Sequence, residues 1–159
     1  MEGGTAALVV ASGAAAVDYA IRNIFQQGDP IVASKNLYGG AFDLFRHILP
    51  RDGIGTSFVD PRDPAHFEQA IQENTNLVYF ETFGNPNAGL SGFEAIDAIV
   101  HKHGLPVLST TPSPPPTSSG PLEHGADIVV ESRQVHRRPR HHIGRPDLRG
   151  AGSTGQWFP

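Results

Sequence analysis

Residues 77–87 read Leu77-Val78-Tyr79-Phe80-Glu81-Thr82-Phe83-Gly84-Asn85-Pro86-Asn87, an apolar run that passes directly into a polar turn. A short apolar run bounded by turn residues is typical of a strand that is buried on both faces. The carboxylate of Glu81 and the amide of Asn85 follow this run, in a loop that Pro86 stiffens. The segment therefore predicts a buried strand with functional polar groups at its carboxyl end, although an ordinary Asn-Pro turn is an alternative interpretation.

The sequence on either side alternates short apolar runs with longer helical patterns. Four more strands are predicted, at residues 30–34, 56–60, 105–108 and 126–130. Four helices are predicted, over Ser12–Gln27, over 41–49 before Pro50, from an Asp63 cap with Pro64 in the first turn, and over 93–103. This alternation predicts an α/β fold with a mainly parallel sheet and flanking helices.

Ligands of such sheets bind beyond the carboxyl ends of the strands. We therefore expect functional residues just after Val10, Ser34, Phe80, Leu108 and Val130. After Val10, the residues Ser12, Gly13 and Ala14 open a helix whose backbone N–H groups suit a phosphate, or else form a plain helix cap. After Ser34, Tyr38-Gly39-Gly40 sets an aromatic ring beside a permissive backbone, or else forms a surface turn.

Composition excludes several classes of protein. The chain has 159 residues, 38% of them apolar, and no cysteine, so disulfides and thiol chemistry are excluded. It has no apolar run long enough for a membrane helix and no recognisable secretion signal, so we expect a cytoplasmic protein without a membrane partner. The length suits one domain with a sizeable core.

Two segments depart from this ordinary composition. Five prolines crowd into residues 109–121, and residues 131–159 hold 6 Arg against 2 acidic residues, whereas residues 1–130 hold 6 Lys+Arg against 14 Asp+Glu. The first could be a genuine proline-rich linker. The second could be a basic arm, but it lacks interleaved aromatic residues, so nucleic-acid binding is not expected. Its histidines lack partners at metal-ligand spacing, so no metal site is predicted and a disordered tail is expected.

Five ordered motifs resemble those of the Cys/Met-metabolism family of pyridoxal-phosphate enzymes. They are Glu2-Gly3-Gly4-Thr5-Ala6-Ala7, Val10-Ala11-Ser12-Gly13, Leu37-Tyr38-Gly39-Gly40, Phe80–Pro86 and Glu123–Val130. Within the family, the sequence of these motifs is most similar to that of O-acetylhomoserine sulfhydrylases. The resemblance implies the large cofactor domain of fold-type I enzymes, here partial and spanning residues 1–130, with residues 109–119 aberrant. It also implies pyridoxal 5'-phosphate as cofactor and a homo-oligomer in the intact enzyme.

The resemblance also implies roles for the matching residues. The cofactor phosphate would be held by Ser12, Gly13, the backbone of Ala14 and the hydroxyl of Ser132. The ring would be contacted by Tyr38, which stacks on it, and by Glu81 and Asn85, which lie near it and its phenolic oxygen.

Two catalytic groups of the family are missing from the sequence. Thr110 stands where the family has an Asp that pairs with the protonated pyridine nitrogen. The lysine that binds the cofactor covalently as a Schiff base falls at Gln134/Val135, and no lysine follows Lys102. Covalent attachment at the family position is therefore not expected, and no catalytic residue is intact.

A shifted reading frame is the hypothesis that accounts for both aberrant segments together. Dropping the first base from GC-rich codons for the family pattern Val-Asp-Asn-Thr-Phe-Ala-Thr-Pro-Tyr-Leu yields Ser-Thr-Thr-Pro-Ser-Pro-Pro-Pro-Thr-Ser, the sequence of residues 109–118. A codon string for Arg133–His142, read one base later, yields Ala-Lys-Tyr-Ile-Gly-Gly-His, the missing lysine motif. Sequence error and gene decay are both compatible with these shifts.

The predicted function is that of a fragment of a transsulfuration enzyme, inactive as written, whose parent acts on an amino acid such as O-acetylhomoserine. The alternatives are a relative of cystathionine γ-synthase, cystathionine γ-lyase or methionine γ-lyase, or a non-catalytic pseudogene relic with a basic tail.

Overall fold

The fold centres on a five-stranded sheet in which every strand runs parallel to its neighbours. A computed structural model describes residues 4–81, 90–111 and 121–131. The strands are β1 (Ile31–Ser34), β2 (Thr56–Val59), β3 (Leu77–Glu81), β4 (Val107–Thr111) and β5 (Ile128–Glu131), arranged in the order β2-β1-β3-β4-β5. The predicted α/β class and parallel sheet are confirmed.

In the described part of the chain, four α-helices flank the sheet: α1 (Gly13–Ile24), α2 (Gly39–Asp43), α3 (Ala65–Ala70) and α4 (Leu90–Lys102). A π-helical turn (Leu44–Ile48) and a 3-10 turn (Leu49–Asp52) continue α2, and a second 3-10 turn (Pro121–His124) precedes β5. The helix predicted over 41–49 therefore runs past Pro50, because a proline in the first turn of the 3-10 segment needs no N–H donor there.

Alternation along the strands divides the core into two layers. On one face, Ala33, Tyr79 and Leu108 pack with Ile21 of α1 and with Phe45. On the other face, Val78 and Val107 pack with Phe67 of α3 and with Ile96 and Val100 of α4. Both faces of the central strands are buried, which accounts for the continuous apolar runs in their sequence.

Val10 was expected to lie at the carboxyl end of a strand, since functional residues were expected just after it, but this expectation is wrong. Residues 5–10 form no strand, and the side chains of Leu8 and Val9 are 81% and 77% exposed. An apolar run forms a strand only where a neighbouring strand supplies hydrogen bonds. Residues 5–10 are not paired in this way, because β2 and β5 are the outermost strands of the described sheet.

Several predicted boundaries also move. Helix α1 ends at Ile24 rather than Gln27, because Phe25 adopts an extended backbone and buries its ring. Helix α3 begins at Ala65, whose N–H donates to Oδ1 of Asp63 at 3.0 Å. Strand β4 runs beyond Leu108 and includes Ser109, Thr110 and Thr111, the first residues of the proline-rich segment. In the described part of the chain, no helix has the length and apolar character needed to span a membrane.

Candidate functional site

The candidate site lies at the carboxyl edge of the sheet, on the face that carries α1. Tyr79 and Leu108 belong to the core layer beneath α1, and Glu81 and Thr110 come two residues later on the same strands. Because side chains two apart on a strand share a face, Glu81 and Thr110 point to the α1 side. The register pairs Glu81 with Thr110 across β3 and β4.

Glu81 binds the backbone of Tyr38. The Tyr38 N–H donates to Oε1 of Glu81 at 2.9 Å and to Oε2 at 3.0 Å. This contact ties the loop after β1 to the end of β3, so two predicted site residues meet. Burial raises the pKa of the Glu81 carboxyl, and the Tyr38 hydrogen bond partly opposes that rise.

The ring of Tyr38 projects from this contact into the open. It is 72% exposed, and Gly40 lies beneath it, where an added Cβ would sit 3.0 Å from Cε1 of the ring. A side chain at position 40 would therefore push the ring away from its place. An exposed aromatic face held by a backbone anchor suits stacking against a planar ligand.

Ser12 caps helix α1 as predicted, with its Oγ accepting the Ala15 N–H at 3.1 Å. The Ala16 N–H is taken by the Ser12 carbonyl at 3.0 Å. The N–H groups of Gly13 and Ala14 precede these bonds in the first turn, which is where a helix presents unused donors to an anion. This turn contains no acidic side chain that would repel one.

Tyr79 belongs to the site although the sequence analysis did not identify it. Its ring is fully buried, with its centroid 4.5 Å from that of Phe45, and its hydroxyl lies 3.2 Å from Oγ1 of Thr110. Burial raises the pKa of the Tyr79 hydroxyl well above its ordinary value. The sequence did contain a sign of this role, because Leu77, Tyr79 and Glu81 alternate along one strand. The tyrosine therefore lies next to Glu81 on the same face of the sheet.

The structure brings together some of the predicted residues and not others. Tyr38 and Glu81 are in contact, while Ser12, Gly13 and Ala14 lie at the start of a helix that packs on the same face and contacts β5 and α2. Asn85, Ser132, Gln134 and Val135 lie outside the described residues. No group of three or more His, Asp or Glu side chains in the described ranges is arranged to hold a metal ion.

This sheet, with a helix N-terminus and an aromatic ring at its carboxyl edge, defines an α/β protein of the class that binds phosphorylated cofactors. Residues 1–136 match the family model described as Cys/Met metabolism PLP-dependent enzyme, where PLP is pyridoxal phosphate. The chain therefore belongs to the Cys/Met-metabolism family of pyridoxal-phosphate-dependent enzymes.

Relatives in this family include characterised sulfur amino-acid enzymes. The chain is 42% identical over 132 residues to O-acetyl-L-homoserine sulfhydrylase of Leptospira meyeri, covering 83% of this chain and 30% of that protein. It is 44% identical over 133 residues to homocysteine/cysteine synthase of Saccharomyces cerevisiae, with coverage of 83% and 30%. It is 45% identical over 133 residues to L-methionine gamma-lyase of Porphyromonas gingivalis, with coverage of 83% and 33%. The chain spans about a third of the length of these relatives.

Solved structures of fold-type I enzymes share the architecture. O-Acetylhomoserine sulfhydrylase of Wolinella succinogenes superposes with a TM-score of 0.75 at 35% identity, covering 82% of this chain and 37% of that one. An O-acetylhomoserine (thiol)-lyase of Campylobacter jejuni, which carries a pyridoxyl-lysine phosphate, gives a TM-score of 0.76 at 34% identity, with coverage of 82% and 32%. The predicted fold type and the pyridoxal-phosphate dependence of the family are thereby confirmed.

The described residues fit only part of this cofactor. The α1 turn offers donors to a phosphate, and the exposed Tyr38 ring offers a face to a planar ring. At the end of β4, however, Thr110 offers a neutral hydroxyl bonded to Tyr79. The two lysines of the chain, Lys35 and Lys102, are in ion pairs with Asp60 and Glu68.

Proposed function

We propose that this chain is a fragment of a transsulfuration enzyme similar to O-acetylhomoserine sulfhydrylases, and that it binds pyridoxal phosphate reversibly without catalysing the family's reaction. The proposal rests on which groups are present and which are absent at the carboxyl edge of the sheet. The Tyr38–Glu81 contact and the α1 turn remain, while Thr110 is neutral and no lysine follows Lys102.

The phosphate is assigned to the first turn of α1. The N–H groups of Gly13 and Ala14 would donate to it, and the exposed Ser12 side chain adds a hydroxyl while its Oγ keeps the cap on Ala15. The positive end of the helix dipole favours a dianion at this point. Ser132 would add a hydroxyl to the same phosphate, as the family resemblance implies.

The ring is assigned to the surface between Tyr38 and the ends of β3 and β4. Tyr38 would stack on the cofactor ring. Both carboxylate oxygens of Glu81 accept the Tyr38 N–H, and this contact would fix the position of the Tyr38 ring relative to β3. Asn85 would lie near the phenolic oxygen. When bound, pyridoxal phosphate supplies an electron sink for charge developed on an amino acid, and the protein orients and tunes it.

Inactivity follows from the two missing groups. A proton at the substrate carbons must be moved by a base, and the family uses the covalent lysine for this step. The amino groups of the two lysines are engaged in ion pairs, Lys35 with Asp60 at 2.7 Å and Lys102 with Glu68 at 3.1 Å. We therefore expect no release of acetate from O-acetylhomoserine in the presence of sulfide and the cofactor.

Family membership alone supports the proposed substrate class and the proposed oligomeric assembly. An amino acid such as O-acetylhomoserine is the proposed substrate of the whole enzyme, and a γ-lyase of the cystathionine or methionine type is the alternative, supported by the 45% identity to L-methionine gamma-lyase. A homo-oligomer and a cytoplasmic location complete the proposal.

The proposal is tested by titrating the chain with pyridoxal 5'-phosphate and following protein fluorescence. Ser12→Asp keeps a side chain that caps the helix but places a negative charge beside the phosphate. We expect it to weaken binding by about tenfold or more, which is at least ~1.4 kcal/mol. Ser12→Thr, the matched control, keeps the cap and the hydroxyl and should bind as the parent chain does.

Two further outcomes would contradict the proposal. If the Ser12→Asp and parent chains bound pyridoxal 5'-phosphate with equal affinity, the phosphate would not bind at the first turn of α1. After borohydride reduction, a stoichiometric pyridoxyl adduct on Lys35 or Lys102, with acetate release that depends on it, would mean that the chain has found another catalytic lysine.

A further inference from the structure

The exposed residue Tyr38 is held at two points. Its backbone N–H donates to both carboxylate oxygens of Glu81, at 2.9 Å and 3.0 Å, and the edge of its ring lies over Gly40 in helix α2. The side chain is 72% exposed, so packing in the core contributes little to its placement. Glu81 and Gly40 are therefore the contacts that set where this aromatic face is presented to a ligand.

Glu81 is a firm anchor because it belongs to the middle of the sheet. It is the last residue of β3, the central strand, it is half-buried, and its register partner on β4 is Thr110. Its carboxylate ties the loop that contains Tyr38 to this strand. A hydrogen bond to an ionised carboxylate is roughly twice as strong as one between neutral groups. The strength of the anchor therefore depends on the charge of Glu81.

The charge of Glu81 is governed by its own surroundings. Ionisable side chains on the neighbouring described elements are Tyr79 on β3, Lys35 after β1, Asp43 on α2, Asp18 and Arg22 on α1, and Glu131 on β5. Lys35 is paired with Asp60, and burial raises the pKa of the Tyr79 hydroxyl, so that it stays neutral. The pKa shift of Glu81 has two causes among the described residues: burial, which raises it above the ordinary value of 4.5, and the Tyr38 hydrogen bond, which opposes the rise. The carboxyl therefore takes up its proton at a less acidic pH than an exposed glutamate does.

On the basis of the proposed function, we infer that Glu81 is the positioning residue for the cofactor ring: its ionised carboxylate seats Tyr38 for stacking, and a proton on that carboxylate loosens the ring contact. The phosphate contact is assigned to another element, the first turn of α1, whose backbone N–H groups do not titrate. The site therefore has a ring half that responds to a proton on the protein and a phosphate half whose protein donors do not. As pH falls through the raised pKa of Glu81, affinity should fall toward that of a chain with a neutral residue at this position.

The test is a titration of the full chain and of two variants at position 81 with pyridoxal 5'-phosphate. Protein fluorescence gives the affinity. Circular dichroism in the absorption band of the cofactor reports its orientation, because an achiral ring gains such a signal only when a protein holds it in one orientation. Glu81→Gln keeps the shape and one acceptor oxygen without the charge, and should weaken binding by about threefold at alkaline pH. Glu81→Ala removes the acceptor and should weaken binding by about tenfold, with loss of most of the induced signal. If Glu81→Ala matched the parent chain in affinity and in induced signal, the inference would be overturned.

The pH profile separates the charge of Glu81 from its shape. Between about pH 8 and about pH 5, the affinity of the parent chain should fall to meet that of Glu81→Gln, so that their ratio shrinks from about threefold toward one. Ionisation of the cofactor phosphate changes both affinities alike, so the ratio isolates the carboxyl group. A ratio that stays constant over this range would show that the charge of Glu81 does not act on the ring contact, and the inference would fail.

Gly40 tests the placement of the ring without a change at Glu81. Gly40→Ala adds a Cβ that would sit 3.0 Å from Cε1 of Tyr38, in a helix where alanine is more favourable than glycine. We expect about threefold weaker binding and a smaller induced signal, without a loss of stability. Gly55→Ala, the matched control, adds the same methyl group in open space before β2 and should bind the cofactor as the parent chain does. Parent-like affinity and induced signal in Gly40→Ala would show that the seat of the ring does not matter, against the inference.

Failure of the proposed function has a different signature. Absence of saturable binding by the parent chain and by all of these variants would refute cofactor binding itself, and the inference with it. Saturable binding that neither Glu81→Ala nor Gly40→Ala changes would leave the proposed function intact and refute the inference alone. If Glu81→Ala does not fold, as judged by far-ultraviolet circular dichroism, Glu81→Gln and Gly40→Ala still decide the question.

Discussion

Nε2 of His101 lies 2.9 Å from Oδ2 of Asp127, the same carboxylate oxygen that accepts the backbone N–H of Val107 at 2.8 Å. Nδ1 of the same imidazole lies 3.3 Å from Oδ2 of Asp97 on α4. One histidine therefore joins α4 to the residues that begin β4 and β5, at the opposite edge of the sheet from the candidate site. The pKa of His101 is raised. The hydrogen bond to Asp127 is the largest cause, and partial burial opposes the rise.

This bridge makes stability depend on pH. Because the folded pKa of His101 is raised above its ordinary value of 6.5, its contribution is complete below about pH 6.5 and is lost as pH rises through the raised pKa. The side chain is 41% exposed, so solvent screening limits the effect to about 0.5 kcal/mol. Burial raises the pKa of Asp97 as well, which acts in the same direction in a more acidic window.

Urea denaturation at two pH values measures this contribution. His101→Gln should lower the free energy of unfolding more at pH 6 than at pH 8, since glutamine keeps a hydrogen-bond donor but carries no charge. His47→Gln, at an exposed position on the π-helical turn, is the matched control for the loss of an imidazole. Equal losses for His101→Gln at both pH values would show that the bridge is not charged.

Gly125 is expected to tolerate no side chain. Its φ of +108° lies in the region that glycine favours, and an added Cβ would overlap the carboxylate of Asp97. Gly125→Ala should therefore cost about 3 kcal/mol, from backbone strain and from displacement of α4. Gly104→Ala is the matched control, because Gly104 has a φ of +70° but open space around it, and should cost only about 1 kcal/mol. Thermal melting of both variants checks the difference, and similar costs would show that the Asp97 contact is unimportant.

Removal of the Tyr79 hydroxyl tests the bond to Thr110 without changing the core. Tyr79→Phe keeps the buried ring and its contact with Phe45, so we expect a loss of about 1 kcal/mol in the free energy of unfolding. Tyr19→Phe, at a side chain that is 56% exposed, should change the stability by less than about 0.5 kcal/mol. A neutral Tyr79→Phe substitution would mean that the hydroxyl pair adds no net stability.

Phe67 anchors the layer beneath α3 and α4. Its side chain is fully buried and lies edge-on to Phe80 with ring centroids 6.1 Å apart. Phe67→Ala should cost about 3–5 kcal/mol, because it removes a large buried ring and leaves a cavity. Phe42→Ala, at a ring that is 37% exposed, should cost about 1 kcal/mol. Chemical denaturation of the two variants compares them, and equal losses would contradict the layered core.

The sheet could be predicted from the sequence where a strand is buried on both faces. Strand β3 matches the predicted apolar run at both ends, because every residue from Leu77 to Phe80 is buried. The run ending at Val10 has the same apolar character, but hydropathy cannot tell whether a neighbouring strand is present to pair with it. The continuation of β4 through Thr110 was missed for a related reason, since cross-strand hydrogen bonds sustain polar residues that carry no apolar pattern.

The candidate site was predictable in its residues but not in its contacts. Ser12, Tyr38 and Glu81 were identified as residues beyond apolar runs. The hydrogen bond from Tyr38 to Glu81 joins residues 43 positions apart, and only the parallel pairing of β1 with β3 brings them together. Tyr79 was missed because a tyrosine within an apolar run is indistinguishable from a core aromatic until its hydroxyl is given a partner.

Both outermost strands of the described sheet, β2 and β5, are four residues long. A strand at the edge of a sheet is a template on which another chain can add, and shortness is one of the ways in which proteins blunt it. The long side of the sheet therefore offers little to an incoming strand. The greater aggregation hazard lies with exposed apolar side chains such as Leu8 and Val9, so self-association of this chain should respond to polar substitutions there rather than to changes in β2 or β5.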